Sequence, residues 1–265
     1  LKWFNTEIKS IKPDAYLVGE AWTSEGIILD MYESGIDSYF NFGLSQNSGQ
    51  IFKSMNSKNG RSLSDYIANY QSKLKEKNPD GIDAVFISNH DNNRSAGYLV
   101  TEARQKFAAS IYLLMPGNPY IYYGEEVALK GSGIDENKRL PMPWNKKGEG
   151  VPQPPTAADY KQESYIYVED ALKDKNSLLN HYKHVISIRN TYPSISRGIT
   201  KSLDLGNHEL YALAHNDDIV VVHNLGEETI EFELEHDKII LVSGSAKSKG
   251  NTITIDGETS IVIEK

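Results

Sequence analysis

The chain contains no cysteine among its 265 residues, which excludes disulfide cross-links, thiolate nucleophiles and cysteine metal sites, and leaves the redox compartment open. No apolar run approaches the roughly 20 residues that a membrane-spanning helix needs. Positive charge is in deficit, with 28 Lys and Arg against 36 Asp and Glu and a formal net charge of -8. That balance argues against a nucleic-acid or anionic-membrane partner, since both reward a basic surface. A secretory leader is not visible, and the first residues, Leu1-Lys2-Trp3-Phe4, read as the inside of a helix without an initiator Met. The expectation is that the natural N-terminus lies elsewhere. No residue pattern assigns a compartment.

What is present is enough for a packed core: 39% hydrophobic and 24% charged residues describe a globular chain of one large or two smaller domains. Sixteen tyrosines supply flat faces with a hydroxyl handle, a composition that suits sugars and is also ordinary core material.

In chain order, Trp3, Phe4, Ile8 and Ile11 fall at helical spacing, and Lys12-Pro13-Asp14 stops that helix before the strand-like run from Ala15 to Val18. Gly35 to Phe42 predicts a second strand. Ser62 or Ser64 can cap a helix that runs to about Lys77 and ends at Asn78-Pro79-Asp80-Gly81. The stretch from Ala84 to Asp91 predicts a third strand, Thr101 to Met115 a helix, Tyr120 to Gly124 a fourth strand, and Ser177 to Asn190 a helix. A long Gly- and Pro-containing loop from Glu126 to about Pro155 surrounds the charged cluster from Asp135 to Arg139.

After Arg197 the period changes. Six short β-runs, His208 to His215, Ile219 to His223, Thr229 to Leu234, Lys238 to Val242, Thr252 to Ile255 and Ser260 to Ile263, are separated by turn residues. The resulting expectation is α/β: residues 1–196 as part of a (β/α)8 (TIM) barrel, and 197–265 as a small antiparallel β-sandwich.

Two of the strand-like runs lead into carboxylates, Glu20 and Asp91, 71 positions apart. A (β/α)8 barrel spends about 31 residues on each unit, so the gap is two units, and alternate strands feed the same interior layers. Paired carboxylates at one barrel face are what glycoside hydrolysis asks for, one protonating the leaving oxygen while another stabilises or attacks the anomeric carbon. Other readings stand beside this one. A Gly-Glu after a strand also caps helices or binds a surface Lys, and Tyr122, Tyr123 and Trp144 also serve as core. Glu20, His90 and Asp91 are metal-ligating types, although no His-x-x-x-His or comparable close pair accompanies them.

Val18-Gly19-Glu20-Ala21-Trp22, Phe86-Ile87-Ser88-Asn89-His90-Asp91 with Arg94, Gly117-Asn118-Pro119-Tyr120-Ile121-Tyr122-Tyr123-Gly124-Glu125-Glu126 and Arg139-Leu140-Pro141-Met142-Pro143-Trp144, in this order, resemble the second half of the α-amylase family, glycoside hydrolase family 13. The resemblance covers about residues 1 to 190 by motif, and the final β-runs match the family's C-terminal domain by architecture. It implies the C-terminal half of the barrel, strands five to eight, and a retaining activity on α-1,4-glucosidic bonds of starch or maltooligosaccharides. It implies Glu20 as general acid/base and Asp91 as the transition-state carboxylate. His90, Trp22, Arg139 and Asp135 become sugar-binding residues. Secretion fits a polymeric substrate that stays outside cells.

The family's nucleophile sits in a Gly-Phe-Arg-x-Asp-Ala-like segment of the fourth strand, and these 265 residues hold no such segment. The expectation is therefore a chain that is inactive alone and completed by the N-terminal half of the barrel. No cofactor is implied for this portion, and any calcium of the family would be bound in that other half. The alternative is a non-catalytic α-glucan-binding or interaction module of the same fold.

Overall fold

The computed structural model describes all 265 residues, Leu1–Lys265. Four short parallel strands, β1 (Val18–Gly19), β2 (Ser38–Phe40), β3 (Ile82–Val85) and β4 (Asn118–Pro119), form one sheet in sequence order. Register is set by Val18 opposite Ser38, Tyr39 opposite Asp83 and Ala84 opposite Asn118. Parallel neighbours need crossover helices. These are α2 (Glu25–Met31) between the first two strands, α3 (Gln50–Ser57) and α4 (Gly60–Lys77) between the next, and α5 (Glu102–Leu113) before the last. α1 (Lys2–Ile11) precedes the sheet. The short α6 (Asp135–Lys138) and α7 (Val168–Ala171) follow it, then α8 (Leu178–Thr191) and α9 (Pro193–Arg197).

Local chemistry explains several of these boundaries. Thr101 caps α5 by accepting from the Arg104 amide, and Ser177 caps α8 by accepting from the Asn180 amide. α4 begins earlier than Ser62, because the Asn59 side chain is the actual cap and accepts from the Ser62 amide. The third strand ends at Val85 rather than Asp91, and the fourth is Asn118–Pro119 rather than Tyr120 to Gly124; the Tyr120 amide still donates to the Val85 carbonyl at 2.7 Å, and the chain turns at Tyr123 and Gly124. In both cases apolar composition extends beyond the hydrogen-bonded ladder.

The C-terminal part forms two antiparallel sheets. One has the order β5-β6-β7-β12-β9, from Thr200–Ser202, Leu210–His215, Ile219–Asn224, Ser260–Glu264 and Lys238–Ser243. The other has the order β10-β11-β8, from Ala246–Lys249, Thr252–Ile255 and Ile230–Glu233. Alternation sorts the side chains: Leu210, Ala212, Val220, Val222, Ile261 and Ile263 pack with Phe232, Ile253 and Ile255 between the two sheets. The opposite face of the larger sheet presents Tyr211, Leu213, Val221 and Val262, which share one apolar core with Leu63, Ile67, Phe107, Ile111 and Val185 of the helices.

The β1 side of the parallel sheet is different. No residue of α1 is buried, and Trp3 (74% exposed), Phe4 and Ile11 (82%) face outward, while Tyr16 reaches across the sheet to Asn118 at 3.1 Å and leaves Val18 exposed on that same face. This is an apolar flank with an unpaired strand edge.

Candidate active site

Both predicted carboxylates lie past the C-terminal ends of parallel strands in one sheet, Glu20 directly after β1 and Asp91 beyond β3, with β2 between. Strands in a sheet are about 4.8 Å apart, which sets β1 and β3 about 10 Å apart and leaves width for a sugar ring between them. Glu20 is exposed at the sheet's end. Gly19 before it is required by close approach, since a Cβ there would sit 2.3 Å from Cε1 of the buried Tyr39. Three rings join these strand ends. Trp22 stacks on Phe42 with centroids 5.1 Å apart and planes 12° from parallel, and Phe42 meets Phe86 edge-on at 5.2 Å. Trp22 keeps its other face open, being 61% exposed.

Asp91 is placed by a turn. The Asn89 side-chain oxygen accepts from the Asp91 amide at 3.0 Å and the Asn92 amide at 2.8 Å, a local ring that Asn favours. Asn89 is thus occupied by backbone. The Asp91 carboxylate accepts from Arg139 Nη2 at 2.9 Å, and His90 Nε2 lies 3.4 Å from its other oxygen. Arg139 reaches Asp135 as well, at 3.2 Å. Asp91, His90, Asp135 and Arg139 therefore form one cluster, while Glu20 and Trp22 stand across the mouth of the sheet on the β1 side. Glu20, His90 and Asp91 do not assemble into a metal-binding group.

Lys138, which the sequence reading passed over, sits at the centre of this cluster. Its ammonium donates to the Asp91 carbonyl at 2.8 Å and to Asp135 at 3.0 Å, and the residue is only 7% exposed. The same hydrogen bond, helped by the nearby positive charges, holds the Asp135 carboxyl below its ordinary pKa. The signal was the i, i+3 and i, i+4 spacing of Asp135, Lys138 and Arg139 on one helical turn. Behind them the buried Arg94 donates from Nε to the Lys138 carbonyl at 2.9 Å and from Nη1 to the Tyr123 carbonyl at 2.7 Å. Its guanidinium lies over the rings of Tyr122 (4.4 Å) and Tyr123 (4.7 Å). Tyr122 and Tyr123 are thus partly scaffold.

A third carboxylate lies beneath. Glu125, 3% exposed, accepts from Ser88 at 2.5 Å and from Tyr112 at 3.0 Å, which ties the turn below Asp91 to α5. Burial pushes its pKa from 4.5 to about 7, against the hydrogen bonds from Ser88 and Tyr112. Beside Arg139 a cleft of about 400 Å³ opens between Tyr123, Trp144, Pro152 and Pro155, and Trp144 is half exposed in it.

Carboxylates and aromatic faces past the C-terminal ends of parallel strands in one sheet are the arrangement of a β/α-type fold with a site at that end. Comparison with known proteins narrows this. The family described as "Alpha amylase, catalytic domain" matches residues 1–198, and the chain belongs to the α-amylase family. It is 33% identical over 282 aligned residues to Alpha-amylase 3 of Dictyoglomus thermophilum, covering 99% of this chain and 54% of that protein. It is 28% identical to Alpha-amylase SusG of Bacteroides thetaiotaomicron, covering 95% of this chain and 38% of that one. Among solved structures, Eubacterium rectale Amy13B superposes with a TM-score of 0.91 at 32% identity, covering all of this chain and 55% of that one. An α-amylase from H. orenii gives 0.83 at 30% identity, covering 100% and 56%. The chain spans about half the length of the relatives it matches.

Proposed function

We propose that the chain is the C-terminal half of a retaining glycoside hydrolase acting on α-1,4-glucosidic bonds of starch or maltooligosaccharides. In this reading residues 1–196 supply strands five to eight of the (β/α)8 barrel and 197–265 an appended β-sandwich. The observation that carries it is the pair of carboxylates past β1 and β3 of one parallel sheet, with Asp91 oriented by Arg139 at 2.9 Å, in a chain of the α-amylase family.

Glu20 is the general acid/base, exposed toward the place where a leaving sugar departs, and Trp22 offers that sugar its open face. Asp91, with His90 beside it, engages the hydroxyls of the distorted ring and stabilises its oxocarbenium-like charge. Asp135 and Arg139 bind the glycone side, where the Trp144 cleft continues. Retaining hydrolysis also needs a carboxylate nucleophile about 5 Å from the acid. The partner we propose is the N-terminal half of the barrel, which supplies that group and covers the apolar flank formed by Trp3, Phe4 and Ile11 and the open sheet face at Val18.

The test is co-refolding of the chain with a polypeptide carrying the first four β/α units of the family barrel, followed by a maltoheptaose cleavage assay. Turnover that disappears on Glu20→Gln is the expected result. A folded complex that cleaves nothing overturns the catalytic reading. Maltoheptaose binding without turnover then identifies a glucan-binding module, the second reading of the same cleft.

A further inference from the structure

The end of the parallel sheet opposite the candidate site carries a positive feature that the reaction does not use. Strands β3 and β4 begin there, behind the last turn of α4 and the link from α9 into β5. Between those elements runs a groove of about 720 Å³ whose lining includes Gln71, Lys75, Glu76, Arg197, Thr200 and Lys201.

Two guanidiniums meet behind it on one carbonyl. Arg189, buried, donates to the carbonyls of Leu113 (2.7 Å), Met115 (2.6 Å) and Gly117, and Arg197 donates to the same Gly117 carbonyl at 3.2 Å. Arg197 also reaches the Ser196 carbonyl at 3.1 Å and the Asn118 side-chain oxygen at 2.7 Å. Lys75 is fixed by the carbonyls of Pro79 (2.9 Å) and Gly81 (3.0 Å). None of Lys75, Arg189, Arg197 and Lys201 has a carboxylate within ion-pair distance, whereas Lys9, Arg61, Lys77 and Arg139 each do.

Glu76 in the lining and Asp80, whose field acts on Lys75, offset part of this charge. Asp83, whose carboxylate accepts from the lining Gln71, reduces it further when ionised, and a net positive charge still remains at this place on a chain whose net charge is -8. Burial lowers the Lys75 pKa, and Arg197 adds to that against Asp80. By donor count, Arg197 retains its Nε–H and one Nη2–H, Lys75 one N–H, and Lys201 all three.

We propose that this groove is an anion site that takes a phosphate group, free or as the ester of a small sugar. A planar fork and two ammonium groups around one cavity match the tetrahedral oxygens of phosphate, and its charge relieves the repulsion between arginines that share one carbonyl. The groove is roomier than a single phosphate, so an attached sugar fits. The proposal is independent of the glycosidase reading, because every residue in it lies at the other end of the sheet.

Isothermal titration of the purified chain at low salt tests it, with inorganic phosphate, glucose 6-phosphate and glucose as probes. The expected result is saturable binding of phosphate with a dissociation constant of about 1 mM. Affinity should fall when sodium chloride is raised to about 0.5 M. In the Lys75→Ala/Lys201→Ala double variant it should weaken by about tenfold or more. Lys201→Ala alone, at an exposed side chain with no hydrogen bond, should weaken it measurably with the fold intact. Tighter binding of glucose 6-phosphate than phosphate assigns the site to a sugar ester, and equal binding assigns it to the free ion. Absence of saturable binding, binding unchanged in both variants, or glucose binding as well as its phosphate would each overturn the proposal.

Discussion

Replacing Glu125 with Gln should make the protein more stable in mild alkali and leave it unchanged in acid. Burial holds the Glu125 carboxyl from 4.5 in a free chain to about 7 in the fold. Below pH 4.5 the group is protonated in both states and makes no difference. Between 4.5 and about 7 the unfolded chain releases the proton while the fold retains it, so stability falls as pH rises, and above 7 the loss is complete. At 1.36 kcal/mol for each pKa unit the loss amounts to about 3 kcal/mol.

A glutamine retains the shape of the side chain. Its oxygen can accept from Tyr112 and Tyr182, which share one carboxylate oxygen, and its amide can donate to the Ser88 hydroxyl, so none of the three hydroxyls is stranded. Asp83 is likewise pushed from 3.8 to about 7 by burial, and contributes a similar slope to both proteins that cancels in the difference. The assay is urea unfolding of parent and variant at intervals from pH 4.5 to 8. The variant's advantage should grow from near zero to a few kcal/mol across that window. An advantage that does not change with pH, or one that shrinks as pH rises, would refute the assignment of Glu125 as a carboxyl titrating near neutrality.

Other perturbations follow from the same geometry. Arg139→Met removes the donor that holds Asp91 and Asp135, and should weaken maltoheptaose binding in the completed barrel by about tenfold, read by titration calorimetry, since hydrogen bonds to charged groups contribute about 1.5–3 kcal/mol. His223 is buried against Phe107 and Tyr211, and burial lowers its pKa from 6.5 to about 3. Its contribution is intact above 6.5 and is lost as pH falls toward 3, so His223→Gln should move the acid-unfolding midpoint, followed by circular dichroism, to lower pH. Gly117 has φ +100° and a Cβ there would stand 2.3 Å from the Asp83 carbonyl, so Gly117→Ala should destabilise by about 3 kcal/mol or more in urea unfolding.

The parts legible in the sequence were those with a strong local signal. The helices at Lys2–Ile11, Glu102–Leu113 and Leu178–Thr191 follow their apolar spacing, and Thr101 and Ser177 act as caps. Helices α2 and α3 fall in stretches where the sequence predicts no helix, because burial of Ile28, Leu29, Ile51 and Met55 decided them. Strands β5 and β10 carry polar residues and exist through pairing with β6 and β11. At the site, Asp91, Arg139 and Asp135 are drawn together across 48 residues of chain, and only the fold could supply that contact. The spacing of Asp135, Lys138 and Arg139 brings the Lys138 ammonium to a carboxylate, but its burial, and that of Glu125, comes from the fold and has no counterpart in residue type.

The apolar core that runs from Leu63 and Phe107 through Tyr211, Leu213 and Val221 means that the larger antiparallel sheet and the helices share one interior. A cut in the chain near residue 197 would therefore separate two pieces of sequence without separating two independent folding units. Recombination that exchanged the C-terminal sheets between relatives would have to carry the matching faces of α4, α5 and α8 with them, so the inherited module is larger than its strand pattern implies.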